Sequence, residues 1–323
     1  MVHSDGGKHE PAQNAPALVV DHVAFAARQG FLRRRRQIFD GLSFTVDPGE
    51  AVGLLLASGS GKTSLAKLAT GLHTPAFGSV SVLGLNPAAD QGKLKGRVGA
   101  IVNEHSQLWP DLPLGDALAM LGQYFDLHNE KARRTELAER LELTRVLRTP
   151  VGDLTPAQHR RAELVAALMP DPELLILDEP TRGMDAAGKE RIRSVLRQEN
   201  RMRGRTLLVA TSDLADVESL CPRLLVGVDG RIGFDGNVPA LSELLGTERV
   251  LVVDLMAPTD RLDELPGTDL IAIEANGLRQ RIGITPGQTT TAKVLADVVS
   301  RASVRNLTLE EPDVSELVRR LAL

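Results

Sequence analysis

The sequence predicts an α/β chain built around a phosphate-binding loop, with a helical insertion and a smaller α+β domain of ferredoxin-like order behind it. Three observations lead there. The buried-strand run AVGLLL at 51–56 passes into ASGSGKTS and then into a helical pattern ending before Gly71, which is the strand, glycine loop and helix that a phosphate loop needs. Strand-type runs return at 173–177 (ELLIL) and 206–210 (TLLVA), with helical spacing over 186–203 between them, the pattern of a parallel sheet with crossover helices. Beyond about 246 the order becomes strand, helix, strand, strand, helix, strand.

The 323 residues and 42% apolar content suffice for one large core and an appended domain. The net charge is −4 and the basic residues are dispersed, so the electrostatic footprint of a nucleic-acid binder is absent. A single cysteine, Cys221, excludes an internal disulfide and a thiolate metal cluster, and fits a reducing compartment. Residues 1–17 read as a flexible polar tail, with neither the apolar core of a signal peptide nor a span of about 20 apolar residues. A cytoplasmic chain that meets the membrane only through partners is the expectation.

Taken in order, 18–25 (LVVDHVAF) and 42–46 read as strands, and the arginine-rich stretch 28–36 between them as a solvated loop. Its run Arg33 to Arg36 also suits anionic lipid headgroups. The first domain is expected to span 18–245, with helical periodicity over 112–148 marking an insertion within about 105–160. The second, 246–323, is expected to hold strands 249–255, 269–275, 278–284 and 304–310, a short helix near 260 and a helix over 291–302. Val314, Leu317, Val318 and Leu321 have helical spacing suited to docking.

Ser58, Gly59, Ser60, Gly61, Lys62, Thr63 and Ser64 supply small residues whose backbone N–H groups can close around a polyphosphate at the positive end of a helix. Lys62 would reach the β and γ phosphates, and the Thr63 hydroxyl would face Mg²⁺. Leu56 departs from the pattern G-x-x-x-x-G-K-[ST], which expects glycine there, and is expected to crowd the loop and weaken nucleotide affinity. Downstream, an apolar strand ends in Asp178 and Glu179, which brings two carboxylates to the sheet edge. Asp178 suits Mg²⁺, and Glu179 is the candidate general base.

At this point the chain resembles the nucleotide-binding subunits of ATP-binding cassette (ABC) transporters over nearly all of 18–245. The stretch LTPAQHRRAELVAALMPDPELLILDEPTRGMD at 154–185 carries most of that resemblance. It implies a signature segment at Leu154–Gln158 with Thr155 and Gln158 touching nucleotide, Walker B carboxylates at Asp178 and Glu179, and a D-loop ending in Asp185. The stretch 103–113 looks like a Q-loop. With the small C-terminal domain, the chain is most similar to the ATPase subunits of type-two exporters. The resemblance implies ATP and Mg²⁺ as ligands and a head-to-tail dimer, either of two copies or with another ABC ATPase. It also implies integral membrane permease subunits as partners, peripheral placement on the inner face of the cell membrane, and no nucleic acid.

Several positions depart from the family pattern. Pro156 replaces a glycine of the signature and removes one backbone donor, a loss worth roughly 10² to 10³ in turnover. Glu104 stands at the Q-loop glutamine, where a carboxylate could ligate Mg²⁺ but repels the γ-phosphate; Gln107 is its possible substitute. Ser212 occupies the switch-histidine position and Ala27 that of the adenine-stacking aromatic, with Phe25 expected to face the core and Phe31 a second stand-in. Two readings stay open: a slow or partner-dependent ATPase in which Glu179, Lys62, Ser212 and Glu104 form the catalytic set, and a nucleotide-binding regulatory subunit paired with an intact ATPase.

Overall fold

A computed structural model describes residues 15–29, 34–56, 59–103, 106–245, 249–264, 266–285 and 288–310. The expectations for Ser58, Glu104, Phe31, Arg33 and the helical spacing at 314–321 lie outside them. The chain divides between Asp235 and Gly236 into two compact units.

In the first unit β1 (Leu18–Gln29), β2 (Arg34–Val46), β3 (Ala51–Leu55), α1 (Lys62–Ala69), β4 (Phe77–Val82), α2 (Gln91–Leu94) and β5 (Val98–Ile101) lead into the helical insertion. That insertion holds α3 (Leu114–Tyr124), α4 (Glu130–Arg140) and α5 (Pro156–Leu168). Next come β6 (Leu174–Asp178), α6 (Ala186–Arg203), β7 (Thr206–Thr211), α7 (Leu214–Leu220), β8 (Arg223–Val228) and β9 (Arg231–Gly236). The six-stranded sheet runs β5-β6-β7-β3-β8-β9, and a second sheet runs β2-β1-β4. β3, β6 and β7 are buried at every residue, as parallel strands covered on both faces must be, which explains their unbroken apolar runs. Because β3 pairs with β7 and β7 with β6, the phosphate loop and the two carboxylates leave the same edge of the sheet.

The arginine-rich stretch is no simple loop. β1 and β2 extend into it as an antiparallel hairpin, with Ala27 opposite Arg36 and Gln29 opposite Arg34. β2 is an edge strand, where charged residues are tolerated because one side of the ladder meets water.

The second unit contains α8 (Val238–Leu245), β10 (Arg249–Leu255), β11 (Thr268–Glu274), β12 (Arg279–Ile284), α9 (Thr291–Arg301) and β13 (Val304–Glu310). Its antiparallel sheet has the order β11-β12-β10-β13, the ferredoxin-like arrangement. Val294 and Val298 of α9 pack with Leu251, Val253, Ile282 and Ile284. The helix expected near 260 is absent, and coil takes its place. Buried Gln280 explains the coil: its Nε2 donates to Thr259 O (3.2 Å) and Asp260 O (2.9 Å), while its Oε1 accepts from Leu262 N (3.1 Å). One amide thus satisfies backbone groups that a helix would have satisfied internally. Among the described residues no helix is long and apolar enough to cross a membrane.

Candidate functional site

The loop after β3 begins at Leu56. Its side chain turns into the core, where it is 3% exposed and sits over Gly227 of β8; a β-carbon on Gly227 would come within 2.1 Å of Leu56 Cδ2. The expected crowding of the loop therefore does not arise, because a glycine on the neighbouring strand makes the room. Gly61 precedes α1 with φ +111°, and a β-carbon there would lie 2.4 Å from Ile38 Cγ2, so both backbone and space demand glycine.

Lys62 Nζ donates to Leu56 O at 2.7 Å and stands 3.2 Å from Glu179 Oε1. Thr63 Oγ1 donates to Asp178 Oδ2 at 2.6 Å, and Asn103 N donates to the same oxygen at 3.3 Å. Burial pushes the Asp178 carboxyl above its ordinary range, against the lowering effect of those hydrogen bonds, and the neighbouring Glu179 charge adds to the rise. Glu179 has φ +50°, a strained conformation for a non-glycine residue, held by its N–H donating to Ala210 O (2.8 Å). Ser212 Oγ donates to Glu179 Oε1 (2.8 Å) and Thr211 Oγ1 approaches Oε2 (3.3 Å).

These groups line one open cleft of about 1300 Å³. Of the residues expected from sequence it gathers Gly59, Gly61, Lys62, Thr63 and Ser64 from the loop side. Asp178, Glu179 and Ser212 face them. Ser60 lies in the loop without lining the cleft. Thr155, Gln158 and Asp185 lie elsewhere and cap helices: Thr155 Oγ1 accepts from Gln158 N while Gln158 Oε1 accepts from Thr155 N, and Asp185 Oδ1 accepts from Gly188 N. Gln107 does not substitute for Glu104, because its Nε2 donates to Ala100 O (2.6 Å) and it lines a different cavity.

Phe25 packs partly on the core, as expected, but also lines the cleft, stacked on His73 with ring centroids 5.3 Å apart and planes at 27°. Sequence reasoning missed His73, Asn103 and Arg160. Arg160 Nη2 donates to Asn103 Oδ1 at 2.8 Å, which ties α5 to the residue that touches Asp178. No local spacing links positions 57 and 75 residues apart, so only the fold could have revealed this chain of contacts.

A divalent ion fits this arrangement. Asp178 Oδ1 is buried and has no hydrogen-bond partner among the described residues, and beside it stand the Thr63 hydroxyl and the second carboxylate oxygen. This is a hard oxygen set with few protein donors, as suits Mg²⁺ shared with phosphates.

A family profile described as ABC transporter matches residues 39–182. The Nod factor export ATP-binding protein I of Neorhizobium galegae is 35% identical over 244 residues, covering 73% of this chain and 67% of that protein. The chain is an ATP-binding subunit of an ABC transporter. The protein of the same name from Burkholderia pseudomallei is 34% identical over 254 residues, covering 74% and 82%. Among solved structures, a dimeric ATP-binding cassette in a post-hydrolysis state with ADP and phosphate bound is 21% identical, with a TM-score of 0.61 over 68% of this chain and 98% of that one. The ATP-binding subunit of another ABC transporter is 23% identical, with a TM-score of 0.61 over 71% and 93%. Both are similar in fold, and the ABC ATPase fold is the one this subunit adopts.

Proposed function

We propose that this ABC subunit binds Mg-ATP in the cleft between α1 and the end of β6, hydrolyses it, and drives export through a separate membrane permease. The observation that carries this reading is the junction of the two motifs: Thr63 donates to Asp178 at 2.6 Å and Lys62 meets Glu179 at 3.2 Å, so phosphate-binding and water-activating groups face one space. The relatives' names, which specify export, support the direction. Thr155, Gln158 and Asp185 lie outside their own chain's cleft, which suits a paired arrangement in which they serve the partner's nucleotide. That partner is a second copy or another ABC ATPase.

In this mechanism the loop amides and Lys62 hold the β and γ phosphates, and Phe25 with His73 flanks the base. Thr63 and Asp178 would hold Mg²⁺, which when bound would offset phosphate charge. Glu179 accepts a proton from water as the water oxygen bonds to the γ-phosphorus and the bond from phosphorus to the ADP oxygen breaks. Ser212 and Thr211 orient the carboxylate. The test is nucleotide binding and steady-state hydrolysis by the purified chain, alone and with a candidate partner ATPase, against Glu179→Gln. Binding kept with turnover abolished supports the reading. A mixture whose turnover is indifferent to Glu179→Gln would make this chain the non-hydrolytic half of a pair.

A further inference from the structure

Ser212 is neutral and bonded to Glu179, so the position where the family resemblance expects a histidine supplies no positive charge here. The cleft nevertheless presents Lys62, Lys67, Arg182 and Lys189. Lys62 faces Glu179 and Lys189 faces Asp213 at 2.5 Å. Arg182 differs from both. It is exposed, it lines the cleft, and among the described residues its guanidinium enters no ion pair and no side-chain hydrogen bond.

Its place is fixed from below. Arg182 N donates to Glu179 O at 3.2 Å, closing a tight turn directly after the candidate base. Within that turn, buried Thr181 donates to Asp216 Oδ2 at 2.6 Å, and Asp216 is held in turn by Arg193 at 2.7 Å. The backbone that carries the guanidinium is thus anchored to α7 and α6, while the side chain is left to the cleft. An unpaired arginine is a permanent cation with a planar fork matched to phosphate oxygens. Arg160, a guanidinium close enough to feel the charge of Arg182, is occupied by Asn103.

We propose that Arg182 is a catalytic residue of this subunit, binding the γ-phosphate of ATP and supplying the positive charge that Ser212 cannot. The inference rests on the nucleotide-binding reading of the cleft. It predicts discrimination by phosphate number: Arg182 is felt by a triphosphate and ignored by a diphosphate.

Mg-ATPγS and Mg-ADP are titrated calorimetrically into the wild-type chain, Arg182→Ala and Arg182→Lys. The expected result is a roughly 10- to 100-fold loss of ATPγS affinity in Arg182→Ala, as for one charge-assisted hydrogen bond. ADP affinity stays within about 2-fold and Arg182→Lys falls between. Equal losses for both nucleotides, or no loss for either, overturn the assignment. Should Arg182→Ala fail to fold, judged by circular dichroism, Arg182→Gln carries the same comparison. A wild-type chain that binds neither nucleotide overturns the reading of the cleft itself, and Arg182 with it; a chain that binds both but does not discriminate overturns Arg182 alone.

Discussion

Leu56 shows how one residue can look disabling in the sequence and be accommodated in the fold. Its side chain belongs to the core and only its carbonyl faces Lys62, so a larger residue at Gly227 has to push that buried side chain aside. Gly227→Ala is expected to destabilise the chain by about 1–3 kcal/mol through overpacking, and Leu56→Ala by about 2–5 kcal/mol through a cavity, both read from urea denaturation. Nucleotide affinity should fall with Gly227→Ala, since the displaced leucine carries the start of the loop with it. On the proposed mechanism Glu179→Gln lowers turnover by roughly 10² to 10⁴, the range for a positioned base, while Ser212→Ala lowers it less because Thr211 still reaches the carboxylate. The positions of Lys62, Thr63, Asp178 and Glu179 were legible from sequence because loop and strand motifs are contiguous. Asn103, Arg160 and His73 were not, since their neighbours in the cleft are supplied by other elements.

At the scale of elements, α5 begins with a reciprocal cap and a proline at its first turn, so its start is set by local chemistry and could be read from Thr155, Pro156 and Gln158. Thr155→Ala should remove about 1 kcal/mol of stability, measurable by thermal unfolding, with Thr155→Ser recovering most of it. The strand pairing of residues 28–29 with 34–36 and the coil near 260 were misread for a shared reason. Propensity sees a charged, glycine-containing stretch or a polar helical one, whereas a backbone ladder and the Gln280 amide decide those conformations from a distance. Gln280→Leu should therefore cost the second unit more than its small change in volume suggests. It leaves the Leu262 N–H and two carbonyls without partners, about 1–3 kcal/mol for each group left buried.

Across the first unit as a whole, α4, α6 and the start of β7 meet at Glu199, which is fully buried. Burial raises its pKa, but hydrogen bonds from Arg205 (2.5 Å) and Arg140 (2.6 Å) outweigh this and hold the carboxyl below its usual range. A carboxyl with a lowered folded-state pKa stabilises the fold above its unfolded value of about 4.3, and that contribution is lost as the pH drops through the folded value. Acid denaturation should accordingly set in below about pH 4.3. Glu199→Gln should flatten that slope and lower stability at neutral pH, because Arg140 and Arg205 lose their most deeply buried partner and keep only the more exposed carboxylates of Glu136 and Asp171. The fold class and the parallel character of the central sheet were readable at this scale because apolar runs report burial directly. A charge network joining three elements was not.

The contact from Arg160 to Asn103, and from Asn103 to Asp178, gives the molecule a mechanical linkage. α5 starts at an exposed cap, and a few residues further along it grips the amide side chain whose own backbone N–H steadies a carboxylate inside the cleft. Tilting that helix pulls on a rod whose far end is Asp178. A contact at the outer end of α5 is therefore expected to reach Asp178 of the same chain as a displacement, without any change in charge.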